Sequence, residues 1–492
     1  MLHFKSNKLF NSLQEICLGE NQIVERIMTH MNVLITNQSL FSREVIKRKG
    51  YNPSCILKAL FILPYLSIST VSSIYKSGMS GLIVAGKDVF YEFKNNNKIN
   101  WRKFLNSTVK KYVKIVEEKS EPSGEKLIEC FIVDDTFCGK TGKRIEMIGR
   151  VFDHVMHKYL LGFKILLLGY WDGKSFVPVD FSIHGEQGKN PDKPQGMTKK
   201  ELKQRFKTQR PTEPCPATER VDEYFMSKLD NAVCMIKRAV TNGLTAKYVL
   251  ADSWFIHEPF INGIRNIRKG LLHVIGMCSL NKKFDINGKS YKTKALIVKH
   301  SKAKKTNRKL RMQYFTLYAE YKGIPLKLFF VKQGYGNKND NWKLIVSSDL
   351  SLSFQRAIEI YQIRWTIEVF FKEAKQHLNL GKSQSNYFNA QIADTTICLM
   401  QYILLALLKR FESYETIGGA FSSSKNAMLE LTLADRIMEI FLQILKELVE
   451  LLELDYELIM EKLLQQGASD KIITILNALN KDSTGKPIKI AA

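Results

Sequence analysis

One stretch, YQIRWTIEVFFKEAKQHLNL, runs from Tyr361 to Leu380 with neither Pro nor Gly inside it. Tyr361, Arg364, Glu368 and Lys375 are spaced by 3, 4 and 7. At about 100° per residue they fall within roughly a 60° arc of a single helix. A phenol, a guanidinium, a carboxylate and an ammonium then share one face, beside an apolar stripe of Ile363, Ile367, Phe370, Ala374 and Leu378. A carboxylate there can hold a hard cation. Arg can take a phosphate through its bidentate fork, and Lys offers a point charge. Taken alone, the stretch also fits an ordinary amphipathic helix with solvated charges.

Three more acids fall where strands should stop. EKLIECFIVDDT reads as a buried strand, Leu127 to Val133, followed by Asp134 and Asp135, and AKYVLADSW reads as another followed by Asp252. Acids at the ends of neighbouring strands lie only about 5 Å apart, and Glu368 would add a third carboxylate from a helix across the sheet. Carboxylates so clustered repel unless cations lie between them. Two Mg²⁺ ions about 3.5–4 Å apart, with Mn²⁺ as a substitute, would suit phosphodiester cleavage. Successive strand side chains point to opposite faces, so one of Asp134 and Asp135 should face the metals; Asp134 is the preferred choice and Asp135 the alternative.

These residues need a scaffold. GFKILLLGYWDGKSFVPVDFSIHG supplies two strands joined at Asp172-Gly173, and GLLHVIGMCSL, from Gly270, a fifth. Residues 185–217 read as a long exposed loop and Arg220 to Asn242 as one helix. The pattern predicts a mixed α/β sheet with flanking helices over 121–280 and 351–411. Residues 281–350 interrupt it as a basic, β-rich insertion, with twelve Lys or Arg between Lys282 and Arg311 against one acid, Asp285. Residues 1–120 read as helical and basic. GKDVFYEFKNNNKINWRKFLNSTVKKYVK, from Gly86, mixes aromatics with lysines as a DNA-contacting module would, or as a solvated basic face would. Residues 412–492 read as helical and acidic; Ile437, Ile440, Ile444, Leu448 and Leu451 form a seam suited to core packing or a homodimer interface.

The 492 residues carry 74 Lys and Arg against 48 Asp and Glu, a net charge of +26. Such a surplus points to a polyanionic partner. The longest apolar run noted, Ala59 to Ile68, holds about ten residues and Pro64, against ~20 for a membrane span. The N-terminus lacks a signal-peptide pattern, and the eight cysteines lack a Cys-x-x-Cys pair, so a reduced, cytoplasmic protein without a membrane partner is expected. His154 and His157 have a helix-like metal spacing but no companions, and His257 reads as structural. Trp365 reads as core packing.

Together, Y361-x2-R364-x3-E368-x6-K375, VDDT at Val133–Thr136 and VLADSWF at Val249–Phe255 resemble, in order and placement, the signatures of bacterial insertion-sequence DDE transposases with a Tyr-Arg-Glu-Lys motif. The likeness covers residues 125–385. It implies an RNase H-like catalytic core with a β-rich insertion, and metal-dependent cleavage at transposon ends followed by strand transfer into target DNA. Asp134, Asp252 and Glu368 would be the metal-binding catalytic triad. Tyr361, Arg364 and Lys375 would hold DNA phosphates, and the double-stranded partner would be terminal inverted repeats and target. An aromatic of the insertion, Trp342, Tyr314 or Tyr318, would stack a flipped base, and Lys304, Lys305, Arg308 and Arg311 would contact DNA.

Overall fold

The computed structural model describes residues 22–35, 51–76, 85–120, 127–153, 156–186, 190–334, 342–412, 414–430, 447 and 449. His154 and the seam from Ile437 to Leu451 lie outside them. The helices from Pro53 to Ile62 and from Val71 to Phe411, and every strand, belong to one compact unit, Met31–Pro64 with Ser69–Gly418.

Its helical start comprises α1 (Pro53–Ile62), α2 (Val71–Lys76), α3 (Lys87–Asn95) and α4 (Trp101–Lys119). Then come β1 (Cys130–Gly139), β2 (Gly149–Asp153), β3 (Lys158–Trp171) and β4 (Phe176–His184). Helices α5 (Lys199–Lys203), α6 (Pro216–Phe225) and α7 (Lys228–Thr241) lead to β5 (Tyr248–Ala251), α8 (Glu258–Ile267) and β6 (His273–Cys278). β4, β3 and β1 pair antiparallel in turn, while β5 and β6 run parallel to β1. The spatial order β4-β3-β1-β5-β6, with helices on both sides, is an RNase H-like mixed α/β fold. Its central strands are near-continuous apolar runs because both faces are covered; every residue of β4 is buried.

Residues 281–350 extend this sheet. They form β7 (Lys283–Ile286), β8 (Lys289–Lys292), α9 (Thr293–His300), β9 (Lys305–Asn307), β10 (Met312–Tyr321), β11 (Ile324–Gln333) and β12 (Lys343–Ser347). β12 pairs antiparallel with β6, Leu344 opposite Cys278, so the addition continues outward through β12, β11, β10, β7 and β8 in one twelve-stranded sheet. An otherwise open edge of β6 is thereby paired.

Several sequence expectations change. The single helix expected over Arg220–Asn242 is two: α6 ends at Phe225, and Ser227 caps α7 by accepting from the Asp230 amide. The loop expected over 185–217 contains α5, held by a Thr198–Glu201 capping box, and the buried Met197. Of the aromatics of 86–119 only Tyr91 faces solvent. Phe90, Phe93, Trp101, Phe104 and Tyr112 are buried, with Trp101 edge-on to Phe93 at 5.7 Å. Two basic side chains there also turn inward: Lys94 pairs with Asp394 and Arg102 with Asp180. One helix that composition overlooked, α12 (Phe388–Phe411), is long and apolar enough to cross a membrane, yet 94% of its most apolar window is buried in the fold. It packs against α4, α3 and β4 as the core helix.

Candidate active site

Register brings the acids together. Val133 of β1 lies opposite Ala251 of β5 in parallel pairing, so Asp134 and Asp252 stand at one level on adjacent strands, about 4.8 Å apart in the pairing direction. The expectation that β1 stops at its acids is corrected: it runs on to Gly139 along β3, and only β5 ends here. Asp134 therefore sits where one neighbour drops away while the other still holds the strand. Beyond Asp252, Phe255 and Ile256 are buried anchors. Ile256 needs Gly276 of β6, where an added Cβ would lie 2.3 Å from its side chain and 2.9 Å from the Ala251 carbonyl oxygen.

The third acid arrives on a helix broken in two. α10 (Phe354–Gln362) carries Tyr361, and α11 (Trp365–His377) carries Glu368 and Lys375. Between them the chain tightens: the Arg364 amide bonds the Tyr361 carbonyl at 3.0 Å, and both the amide and the hydroxyl of Thr366 bond the Ile363 carbonyl. Bonds of i→i+3 type replace part of the α-ladder, so the expected uninterrupted helix from Tyr361 to Leu380 is not formed. Arg364 occupies the junction. It donates from Nη1 to Asp134 Oδ2 at 3.0 Å and from Nη2 to Glu368 Oε1. Its guanidinium also lies 5.9 Å from the Tyr361 ring centroid.

The charge balance is short of cations. Burial and the neighbouring Asp252 push the Asp134 carboxyl up to about 7, against the pull of Arg364 and the Asp135 amide. Burial also raises Asp252, opposed by the Trp254 amide and Arg364. Tyr361 is raised by burial, with Arg364 and the Met277 amide opposing. Two of the three carboxylates thus converge on one guanidinium. Among the described residues no three acidic, His or Cys side chains are close enough to hold a metal as they stand. The donor chemistry fits a hard divalent cation: all-oxygen, anionic, and already bridged by a positive charge.

Asp135 faces the other way. Its Oδ2 accepts from Lys228 Nζ at 2.6 Å, and its Oδ1 lies 3.9 Å from Lys164 Nζ. Lys164 also pairs with Glu186 at 3.2 Å. Nearby His184 bonds Ser182, and burial followed by Lys228 depresses it to about 4.

The remaining expected DNA contacts are dispersed. Lys375 donates to the Phe137 carbonyl at 2.8 Å, on the strand that bears Asp134. Lys304, Lys305, Arg308 and Arg311 are exposed on the extension. Trp342 is 7% exposed and packed edge-on to Phe315, which leaves no face for a base. Tyr314 is stacked on Phe354 at 3.7 Å, whereas Tyr318 is exposed under Lys327. Trp365 is corrected from core to surface, at 63% exposure, because at about 100° per residue it lies opposite the apolar stripe of Ile367, Phe370 and Ala374. His257 stands at the N-cap position of α8. Sequence reading missed Lys164, Lys228 and Trp254; only the placement of Trp254 two residues after Asp252 could have flagged it.

Residues 233–404 match the family described as transposase DDE domain, and residues 87–284 match that described as DDE superfamily endonuclease. No curated protein matches the chain.

Proposed function

From the premise that this chain carries a DDE-superfamily transposase domain, we propose that it cuts DNA at the ends of a mobile element and joins the freed 3′ ends to target DNA. The observation that carries the reading is the convergence of Asp134, from the 87–284 match, and Glu368, from the 233–404 match, on Arg364, with Asp252 level with Asp134. Asp134, Asp252 and Glu368 would hold two Mg²⁺ ions, for which Mn²⁺ substitutes. Such a pair activates an attacking oxygen and stabilises the leaving one. With that charge neutralised, the Arg364 fork becomes available to a DNA phosphate. Tyr361 backs the guanidinium, and Lys375 ties α11 to β1 beside the site.

The exposed cations of the extension, Lys304, Lys305, Arg308 and Arg311, run along the duplex, and residues 1–120 contact the terminal inverted repeats. Residues 412–492 join two copies in a cytoplasmic homodimer. The test uses labelled duplexes bearing the inverted repeats that flank the gene, a target plasmid and Mg²⁺. Joined products are expected. Nicks without joining would reduce the activity to hydrolysis, and a mobility shift without nicks would leave a DNA-binding protein only.

A further inference from the structure

The face behind the acids holds a chain of contacts that the cleavage reaction, as described, does not use. Lys228 is the first residue of α7, where the helix dipole disfavours a cation. Its Nζ nevertheless lies 2.6 Å from Asp135 Oδ2 and 4.1 Å from the centroid of the Trp254 ring. Trp254 remains 44% exposed, so burial alone does not fix its ring. The backbone amide of Trp254 donates to Asp252 Oδ1 at 2.9 Å. Asp135, Lys228, Trp254 and Asp252 therefore form one connected path from the side of β1 opposite Asp134 to the end of β5.

We propose that Asp135 is a positioning residue, which sets the Asp252 carboxylate for its cation by way of Lys228 and the Trp254 ring. The two neighbouring acids of β1 then divide the work: Asp134 faces the cation, and Asp135 fixes the turn that presents Asp252. Lys164, backed by Glu186, holds the second oxygen of Asp135 and keeps it directed at α7. The ion pair orients the ammonium, the ammonium holds the indole by cation–π attraction, and the backbone amide of the same residue, Trp254, orients the carboxylate. The inference rests on the reading of Asp252 as a metal ligand.

Field and position predict opposite signs. Lys228→Met removes a positive charge near the acids, which by charge alone would tighten a divalent cation. Trp254→Ala changes no charge at all. If the path positions Asp252, both variants bind Mn²⁺ more weakly, roughly 10-fold or more in Kd, the size usual for partners behind a metal ligand. The combined variant is no weaker than the worse single one, because both cut one path. Trp254→Phe keeps a ring for Lys228 and stays near the wild type. The measurement is calorimetric titration of the full chain with Mn²⁺, without DNA, with melting curves showing each variant folded. Unchanged binding in Trp254→Ala, or tighter binding in Lys228→Met, overturns the proposal. Asp135→Asn behaving like Asp134→Asn, with binding lost altogether, also overturns it, by making Asp135 a ligand. A wild-type chain that binds no Mn²⁺ removes the metal reading itself, and this inference with it.

Discussion

Two clusters of charge lie on the same sheet and are balanced in opposite senses. On β4, Asp180 is enclosed by Arg102, Arg220 and Arg238, and Glu223 shares the same arginines. Burial alone would raise Asp180, but the three guanidiniums hold it below the usual carboxylate range. On β1, Asp134 has one guanidinium, shared with Glu368, and Asp252 as a neighbour, and it is pushed up to about 7. The first cluster matches its three arginines with Asp180, Glu223 and, 3.7 Å from Arg102, Glu219, and joins α4, α6 and α7 to β4. The second has three acids for one arginine and opens where β5 ends. A buried carboxylate by itself says little about function; the sign of its uncompensated charge says what it lacks.

The largest effect that would sharpen this contrast is on chemistry. Glu368→Gln keeps the shape and removes the anionic donor, so DNA cleavage should fall below detection while binding of DNA ends persists. Wild-type nicking rates in that variant would take Glu368 out of the site.

Stability should separate the clusters next. Asp180→Ala leaves three arginines short of a buried partner and should cost about 3–5 kcal/mol in denaturant unfolding. Asp134→Asn relieves repulsion with Asp252 and should leave the metal-free chain as stable or more so. Equal losses from the two changes would erase the distinction.

Arg364→Lys keeps the charge and loses the fork that spans Asp134 and Glu368. Cleavage should drop roughly 10–100-fold, by analogy with groups that orient metal ligands, at matched melting temperature. A loss confined to stability would make Arg364 a counterpart of the arginines around Asp180.

The smallest effect concerns pH. The folded value of Asp134 lies above its ordinary value of 3.8, so the folded, metal-free chain binds that proton more tightly than the unfolded one. Its contribution to stability is full below about pH 4 and is lost as pH rises to about 7. Melting temperatures across that window, compared between wild type and Asp134→Asn, should differ by a slope of this sign. Asp180, depressed instead, contributes stability that is lost only as pH falls through its own low value.

Much of the site was legible along the chain. VDDT and VLADSWF mark β1 and β5 because buried parallel strands are apolar runs, and an acid after such a run stands out. The order of strands, the late glutamate and the basic extension could also be read, since hydrophobic period and charge are local properties. Which of Asp134 and Asp135 meets Glu368 was reduced by strand alternation to a choice between two faces. Only the packing of α11 over one face and α7 over the other placed Arg364 beside Asp134 and Lys228 beside Asp135.

Other features were decided by tertiary structure alone. The aromatics of α3 and α4 read as DNA contacts or as part of a solvated basic face until α12 and β4 buried all of them but Tyr91. The break at Ile363–Arg364, where bonds to the Tyr361 and Ile363 carbonyls tighten the chain, is a feature that helical periodicity does not record. Trp342 and Trp365 exchanged their expected places because exposure depends on what packs against a residue. The sequence determined which charges this chain carries and on which strands and helices. Pairing register and helix docking decided which charges compensate one another, because those contacts join residues distant along the chain, 93 positions apart for Asp135 and Lys228 and 230 for Asp134 and Arg364.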